Sequence, residues 1–292
     1  IALLNTVRTE APEKILKFFY DHEEWELVYL DYDGCVFLKN VPEHQDVIAR
    51  FRIDPEAWIP QLLNAYRLGS RKVVPYRNIN RAYTLEALGF PHKALEECRA
   101  ALTIYPGYPE AFALLGQIYA RDKKFESAFH YFRLAATYDS GNRKIRTNLA
   151  RMYEELGYYD EALNQYRILR ERFPSSAAPY FLTARALVRK GRPDLAAAYV
   201  REGFARDSKT AKDILVLGDI LTGNGFHAEA VEVLAVALQG ELRKAEIYTK
   251  IGDAFAELAQ PDRAMEEWRQ GLEWAQGEDR DALMNRLGMA HE

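Results

Sequence analysis

Residues 111–142 read AFALLGQIYARDKKFESAFHYFRLAATYDSGN, and residues 145–176 read IRTNLARMYEELGYYDEALNQYRILRERFPSS. Slid by 34 positions, the two stretches superimpose, Gly116 on Ala150, Tyr119 on Tyr153 and Ala128 on Ala162. Self-similarity at such a period marks stacked supersecondary units, none of which can bury its apolar face alone. Carried outward, the period starts six units at Pro75, Pro109, Arg143, Ala177, Ala211 and Ala245, with no insertion. The twentieth place of every unit is alanine: Ala94, Ala128, Ala162, Ala196, Ala230 and Ala264. The eighth is Ala82, Gly116, Ala150, Ala184, Gly218 or Gly252, and the eleventh is always large: Leu85, Tyr119, Tyr153, Leu187, Leu221 or Phe255. Two helices approach closely only where side chains are small, and a large residue from the partner fills the gap. The pattern predicts six helical hairpins.

Each hairpin should turn near its fifteenth place, at Gly89, Gly157, Gly191 and Gly225, because glycine accepts the positive φ that ends a helix. Lys123 and Ala259 stand there in the second and sixth units. Pro106 and Pro174 end second helices before the next unit begins. Beyond the array, residues 280–290 read as an amphipathic helix with Leu283, Leu287 and Ala290 on one face, a cap over the last hairpin. Residues 43–53 and 55–68 read as linking helices outside the register.

The front differs. Residues 2–7 form a strand candidate, and residues 11–22 have helical spacing through Ile15, Phe18 and Phe19. Two β-rich runs, 26–31 and 35–39, flank Tyr32-Asp33-Gly34, a hairpin signal. About forty residues are too few to bury a secure core, so this β-α-β-β segment should pack on the first helices. The division expected is a small α/β segment over 1–40, linking helices over 41–74, six repeat units over 75–278 and a capping helix over 279–292.

Bulk chemistry narrows the function. The 292 residues carry a net charge of -4, with no basic stripe of the kind nucleic acid requires. No apolar run is long enough to span a bilayer. Cys35 and Cys98 form no CxxC, and the six histidines show no metal-ligand spacing. GxSxG, P-loop and GxGxxG motifs are absent, and Thr222-Gly223-Asn224-Gly225 falls where a hairpin turn is required. Glu154-Glu155 and Glu266-Glu267 are sequence neighbours on helices, which do not face each other across a cleft. No enzyme activity, cofactor or metal is expected of these residues.

The two quoted stretches resemble the tetratricopeptide repeat family, and the resemblance covers about residues 75–278. It implies a mostly α fold, a right-handed α-solenoid of six hairpins, and a scaffold binding a peptide or partner protein in its concave groove. Asn78 and Arg81 depart from the pattern, standing where large apolar residues are expected. The front stretch EEWELVYLDYDGCVFLKN is similar to a segment that follows the last membrane helix of bacterial glycosyltransferase-like proteins. Trp25, Val28, Tyr29, Asp31, Val36, Phe37 and Leu38 carry that likeness, and Lys39 replaces an expected arginine. The likeness implies apolar spans before Ile1 and a soluble domain on the extracytoplasmic side. The family's catalytic carboxylates would lie in its membrane part. The alternatives are a stand-alone, cytoplasmic adaptor and an oligomerisation domain.

Family geometry further implies that places two, five, six, nine, twelve and thirteen of each first helix line the groove. Asn80 and Asn148 hold the sixth place, Arg151 and Arg185 the ninth, Arg121 and Arg189 the thirteenth, and Phe181 and Leu182 add an apolar floor. Glu110, Glu154 and Glu155 oppose the cations, which leaves the patch moderately positive, and the middle of the groove should take an extended acidic segment. In the last two units the lining turns acidic, with Asp219, Glu246, Asp253 and Glu257 against Lys212 and Lys250.

Overall fold

The computed structural model describes residues 1–5, 12–59, 75–207, 211–239 and 244–288. They divide into two compact units, Ile1–Met152 and Tyr153–Glu292.

The first unit opens with β1 (Ala2–Asn5), α1 (Pro12–Asp21), β2 (Trp25–Asp31) and β3 (Gly34–Lys39), the order read from the sequence. The strands form one antiparallel sheet in the order β1-β3-β2. Asp31 pairs with Gly34, which closes the hairpin around Tyr32 and Asp33. Leu16, Leu27, Leu30, Cys35 and Phe37 share one core with Ile79, Ala82 and Leu85, so the sheet does lean on the first repeat hairpin. A turn at Pro42–His44 and α2 (Gln45–Phe51) follow. Residues 55–57 turn rather than begin the second expected linking helix, whose remainder from residue 60 lies outside the described residues.

The helical hairpins of this unit are α3 (Tyr76–Ala87) with α4 (Pro91–Ile104) and α5 (Pro109–Arg121) with α6 (Phe125–Tyr138). The division between the units falls inside α7 (Arg143–Glu155). The second unit contains α8 (Tyr159–Arg172), α9 (Ala178–Arg189), α10 (Ala196–Phe204), α11 (Ala211–Gly223), α12 (His227–Ala237), α13 (Lys244–Glu257), α14 (Pro261–Leu272) and α15 (Gly277–Arg286).

The small-residue register is physical. All six alanines of the twentieth place are 0% exposed. In three hairpins the eighth place meets the twenty-fourth. A Cβ on Gly116 would lie 3.0 Å from the Phe132 ring, and one on Gly218 would lie 2.6 Å from Leu234 Cδ2. One on Gly252 would lie 2.5 Å from Trp268 Cδ1. In these three hairpins glycine stands opposite a large side chain, where close packing leaves no room for a Cβ. At the fifteenth place Gly89, Gly157, Gly191 and Gly225 have φ between 79° and 93°, and Lys123 and Ala259 adopt the same left-handed region at 56°. Turn geometry overrides the ordinary preference of an L-residue there.

Arg81, the departure from the repeat pattern, is 4% exposed. It forms a two-point pair with Glu97, Nε to Oε1 at 3.1 Å and Nη2 to Oε2 at 2.9 Å, and its Nη1 lies 3.5 Å from Asp31 of β2. Asn78 donates to the same Glu97 at 2.8 Å. A buried charge is tolerated when it is paired and hydrogen-bonded. Here the pairing ties the sheet to α3 and α4. At the other end of the chain, α15 packs on α13 and α14 with Leu283 fully buried. Its Arg286 makes two bonds to Asp253, at 2.8 and 3.0 Å. Residues 289–290 of the expected capping helix lie outside the described residues.

Candidate peptide-binding face

First helices supply every residue expected to line a groove, and their environments differ sharply. In the first unit Asn80 on α3 and Asn148 on α7 are half-buried, while Arg151 on α7 is exposed. Arg121 at the end of α5 reaches back to Glu86 of α3, Nη1 to Oε1 at 2.6 Å. Between them, Ala113 and Leu114 of α5 hold groove-lining places but are 8% and 0% exposed, so α5 presents little apolar floor.

In the second unit a carboxylate organises the cations. Glu154 has a fully buried side chain and accepts from Arg185 Nη2 at 2.9 Å, from Arg189 Nη1 at 3.4 Å, and from the Tyr166 hydroxyl. Arg189 also forks onto Glu155, at 2.8 and 3.2 Å. Burial works against the charge of Arg185, but its bond to Glu154 outweighs it and raises the guanidinium pKa. Bonds to the Glu155 carboxylate raise that of Arg189. Both arginines are thus charged and already partnered. The carboxylates expected to oppose them, Glu154 and Glu155, bond them directly. A recurring signal points to their partners: a glutamate at the twelfth place and an arginine at the thirteenth of the next unit, Glu86 with Arg121 and Glu154 with Arg189.

Phe181 does not form a groove floor. It is 6% exposed in the core of the second unit, with its ring beside Gly203 of α10, where a Cβ would lie 3.0 Å away. The glycine leaves room for the ring between the two helices, so the side chain turns inward. Leu182 is half-buried, and the exposed apolar residue at the sixth place is Val216 of α11, 49% exposed.

Two clefts open between successive first helices of this unit. One, of 510 Å³, lies between α9 and α11 and is lined by Glu155, Arg185, Val188, Arg189 and Ile220, among others. The other, of 490 Å³, lies between α11 and α13, with Asp219, Thr222, His227, Lys250, Asp253 and Glu257 on its walls. Lys250 pairs with Asp219, and Asp253 is held by Arg286 and by Trp268 Nε1 at 3.1 Å. Glu257 is exposed and pairs with no described residue.

Cys35 and Cys98 are buried, and burial pushes both thiols up to about 12, which removes them as nucleophiles at neutral pH. Among the described residues no three His, Cys, Asp or Glu side chains are placed to hold a metal ion. Among the same residues, no helix is long and apolar enough to cross a membrane.

A tetratricopeptide-repeat family model matches residues 79–142 and 147–209. The chain is 27% identical over 156 residues to the Hsp70-Hsp90 organizing protein 1 of Arabidopsis thaliana. That stretch is 53% of this chain and spans only 22% of the length of the plant protein. Among solved structures, PilW, a type IV pilus biogenesis factor, aligns with a TM-score of 0.54 at 16% identity over 73% of this chain and all of that one. YrrB, a repeat protein with an unusual peptide-binding site, aligns with a TM-score of 0.45 at 15% identity, over 66% of this chain and 97% of its own. The model accounts for residues 79–142 and 147–209 as tetratricopeptide repeats, and the 34-residue register with its buried alanines continues beyond them to α14.

Proposed function

We propose that the chain is a protein-binding scaffold whose first helices hold an extended segment of another protein, and that over α7 this segment is acidic. The carrying observation is α7 itself. Lys144 and Arg151 are exposed on it, and neither pairs with any described residue. Unpartnered cations on an exposed helix attract carboxylates without first giving up an internal bond, unlike Arg121, Arg185 and Arg189. The relevant probe is a fluorescein-labelled decapeptide carrying four glutamates, read by fluorescence polarisation at low salt, where exposed charges act most strongly. Reversing Lys144 and Arg151 to glutamate should abolish binding and leave the melting curve in place. Equal binding by the double variant would remove the acidic assignment.

A second reading makes the chain the soluble, extracytoplasmic part of a bacterial membrane glycosyltransferase-like protein. It rests on the likeness of residues 25–39. A natural reading frame with no apolar spans ahead of residue 1 would end it.

A further inference from the structure

The cleft between α9 and α11 is walled by two arginines that are pinned in place but not used up. Arg185 turns one edge of its guanidinium, Nε and Nη2, onto Glu154. Arg189 turns its other kind of edge, Nη1 and Nη2, onto Glu154 and Glu155. A guanidinium is planar and carries five N–H donors in fixed directions. Arg185 Nη1 and Arg189 Nε are therefore left over, and neither bonds to a described residue. Glu154 is fully buried, so the edge of Arg185 that faces away from it is the accessible one, and the two arginine side chains are 24% and 30% exposed. The rest of the wall is uncharged apart from Glu155. Ile220 is half-buried and lies with Val188 as apolar surface. Asn224 spends its Nδ2 on the Ile220 carbonyl, which leaves its Oδ1 as an acceptor with no described partner.

We infer that this cleft seats an uncharged, apolar residue from an extended segment of a partner protein, and holds it by the main chain. The inference rests on the scaffold reading and names what the segment carries at α9 and α11. Charge selects the occupant. Two cations already stand against two carboxylates, so an incoming anion gains no net attraction and meets Glu155 at the wall. A neutral peptide carbonyl needs only the spare N–H of Arg185 Nη1 and breaks no internal pair. The amide N–H of the same segment donates to Asn224 Oδ1. Its side chain lies on Ile220 and Val188. A space of 510 Å³ with apolar surface and a few convergent donors and acceptors is of the size and make-up that takes a leucine-sized side chain with its backbone. The buried Glu154 acts as the positioning residue, since it fixes the Arg185 plane before the segment arrives.

The full chain tests this with fluorescein-labelled decapeptides of serine and glycine that differ only in one central residue: leucine, serine, glutamate or lysine. The leucine peptide should bind about tenfold more tightly than the serine peptide, the return on burying one such side chain. The glutamate and lysine peptides should bind no more tightly than the serine peptide. Ile220→Asn should weaken the leucine peptide about tenfold, and the milder Ile220→Val about twofold. Leu195→Asn, which removes an exposed apolar side chain outside the cleft, should leave it unchanged. Arg185→Lys keeps a cation for Glu154 but loses the Nη1 donors, and should weaken the leucine and serine peptides alike, about threefold. Tightest binding by the glutamate peptide would make the arginines an anion site and overturn the inference. Equal losses in Ile220→Asn and Leu195→Asn would show only general apolar adhesion and overturn it too. The four-glutamate peptide probes α7 separately. If that peptide binds and leucine shows no advantage over serine, the cleft assignment falls alone; if none of the five binds, the scaffold reading falls with it.

Discussion

Replacing Gly252 by alanine tests the packing logic of the repeats most directly. The new Cβ would sit 2.5 Å from Trp268 Cδ1 and 3.1 Å from the carbonyl oxygen of Ala264. The indole can swing only by giving up its 3.1 Å bond to Asp253, and the carbonyl belongs to helix backbone and cannot move aside. Overpacking of this kind costs about 1–3 kcal/mol, and loss of a hydrogen bond to a charged group adds about 1.5 kcal/mol. Alanine returns about 1 kcal/mol through better helix propensity. The net expectation is destabilisation by about 2 kcal/mol, or ~1 M in urea midpoint at an m-value of ~2 kcal/mol/M. Equilibrium urea unfolding followed by tryptophan fluorescence measures it. A second arm repeats the change in a Trp268→Val background, which copies the Ala184 and Val200 combination of the fourth repeat. There the alanine should cost about 1–2 kcal/mol less, a coupling read from the double-mutant cycle. An unchanged or raised midpoint in Gly252→Ala, or additive effects in the cycle, would refute size matching between the eighth and twenty-fourth places.

Three further outcomes follow from local chemistry. Lys123→Gly and Ala259→Gly should each raise stability by ~0.5 kcal/mol, since a left-handed φ of 56° costs an L-residue about 1–2 kcal/mol and glycine's extra freedom when unfolded returns part of that; thermal melts decide it. Glu154→Ala should destabilise the second unit by about 3 kcal/mol, because it strips a buried carboxylate from Arg185, Arg189 and Tyr166, whereas Glu154→Gln keeps an acceptor and should lose less; denaturant midpoints of the two variants rank them. Cys35 and Cys98, with thiols pushed up to about 12, stay protonated through ordinary pH, and only about one in 10⁴ is thiolate near pH 8. A chromogenic disulfide reagent should therefore find no thiol in the native chain at that pH and both in guanidinium; prompt reaction of the native chain would contradict their burial.

The hairpins were legible because their constraint is local and repeated. A buried alanine every 34 residues needs no knowledge of what lies opposite, and the turn at the fifteenth place held its left-handed φ even where Lys123 and Ala259 occupy it. Side chains whose fate depends on a distant partner were harder to read. Arg81 looked like a misfit because its carboxylates come from Glu97, sixteen residues on, and from Asp31 in the sheet. That Glu154 opposes the groove arginines was legible, but not that it is fully buried and bonds both Arg185 and Arg189, 31 and 35 residues away. Phe181 went to the wrong side because its direction is set by a glycine on α10, not by its own place in α9.

The tie between Asp31, Arg81 and Glu97 makes the first repeat a specialist. The hairpins of α5 with α6, α9 with α10 and α11 with α12 pack on other repeat helices and can in principle be shuffled, duplicated or deleted as blocks. The hairpin of α3 and α4 cannot, since cutting the chain ahead of Pro75 would leave Arg81 without Asp31 and strip the apolar cover from Ile79 and Leu85. Transplanted deeper into the array, the same hairpin would bring a buried guanidinium to a place where its new neighbour offers no carboxylate. Sheet and first hairpin should therefore be inherited together among relatives, and a sequence that keeps one should keep the other.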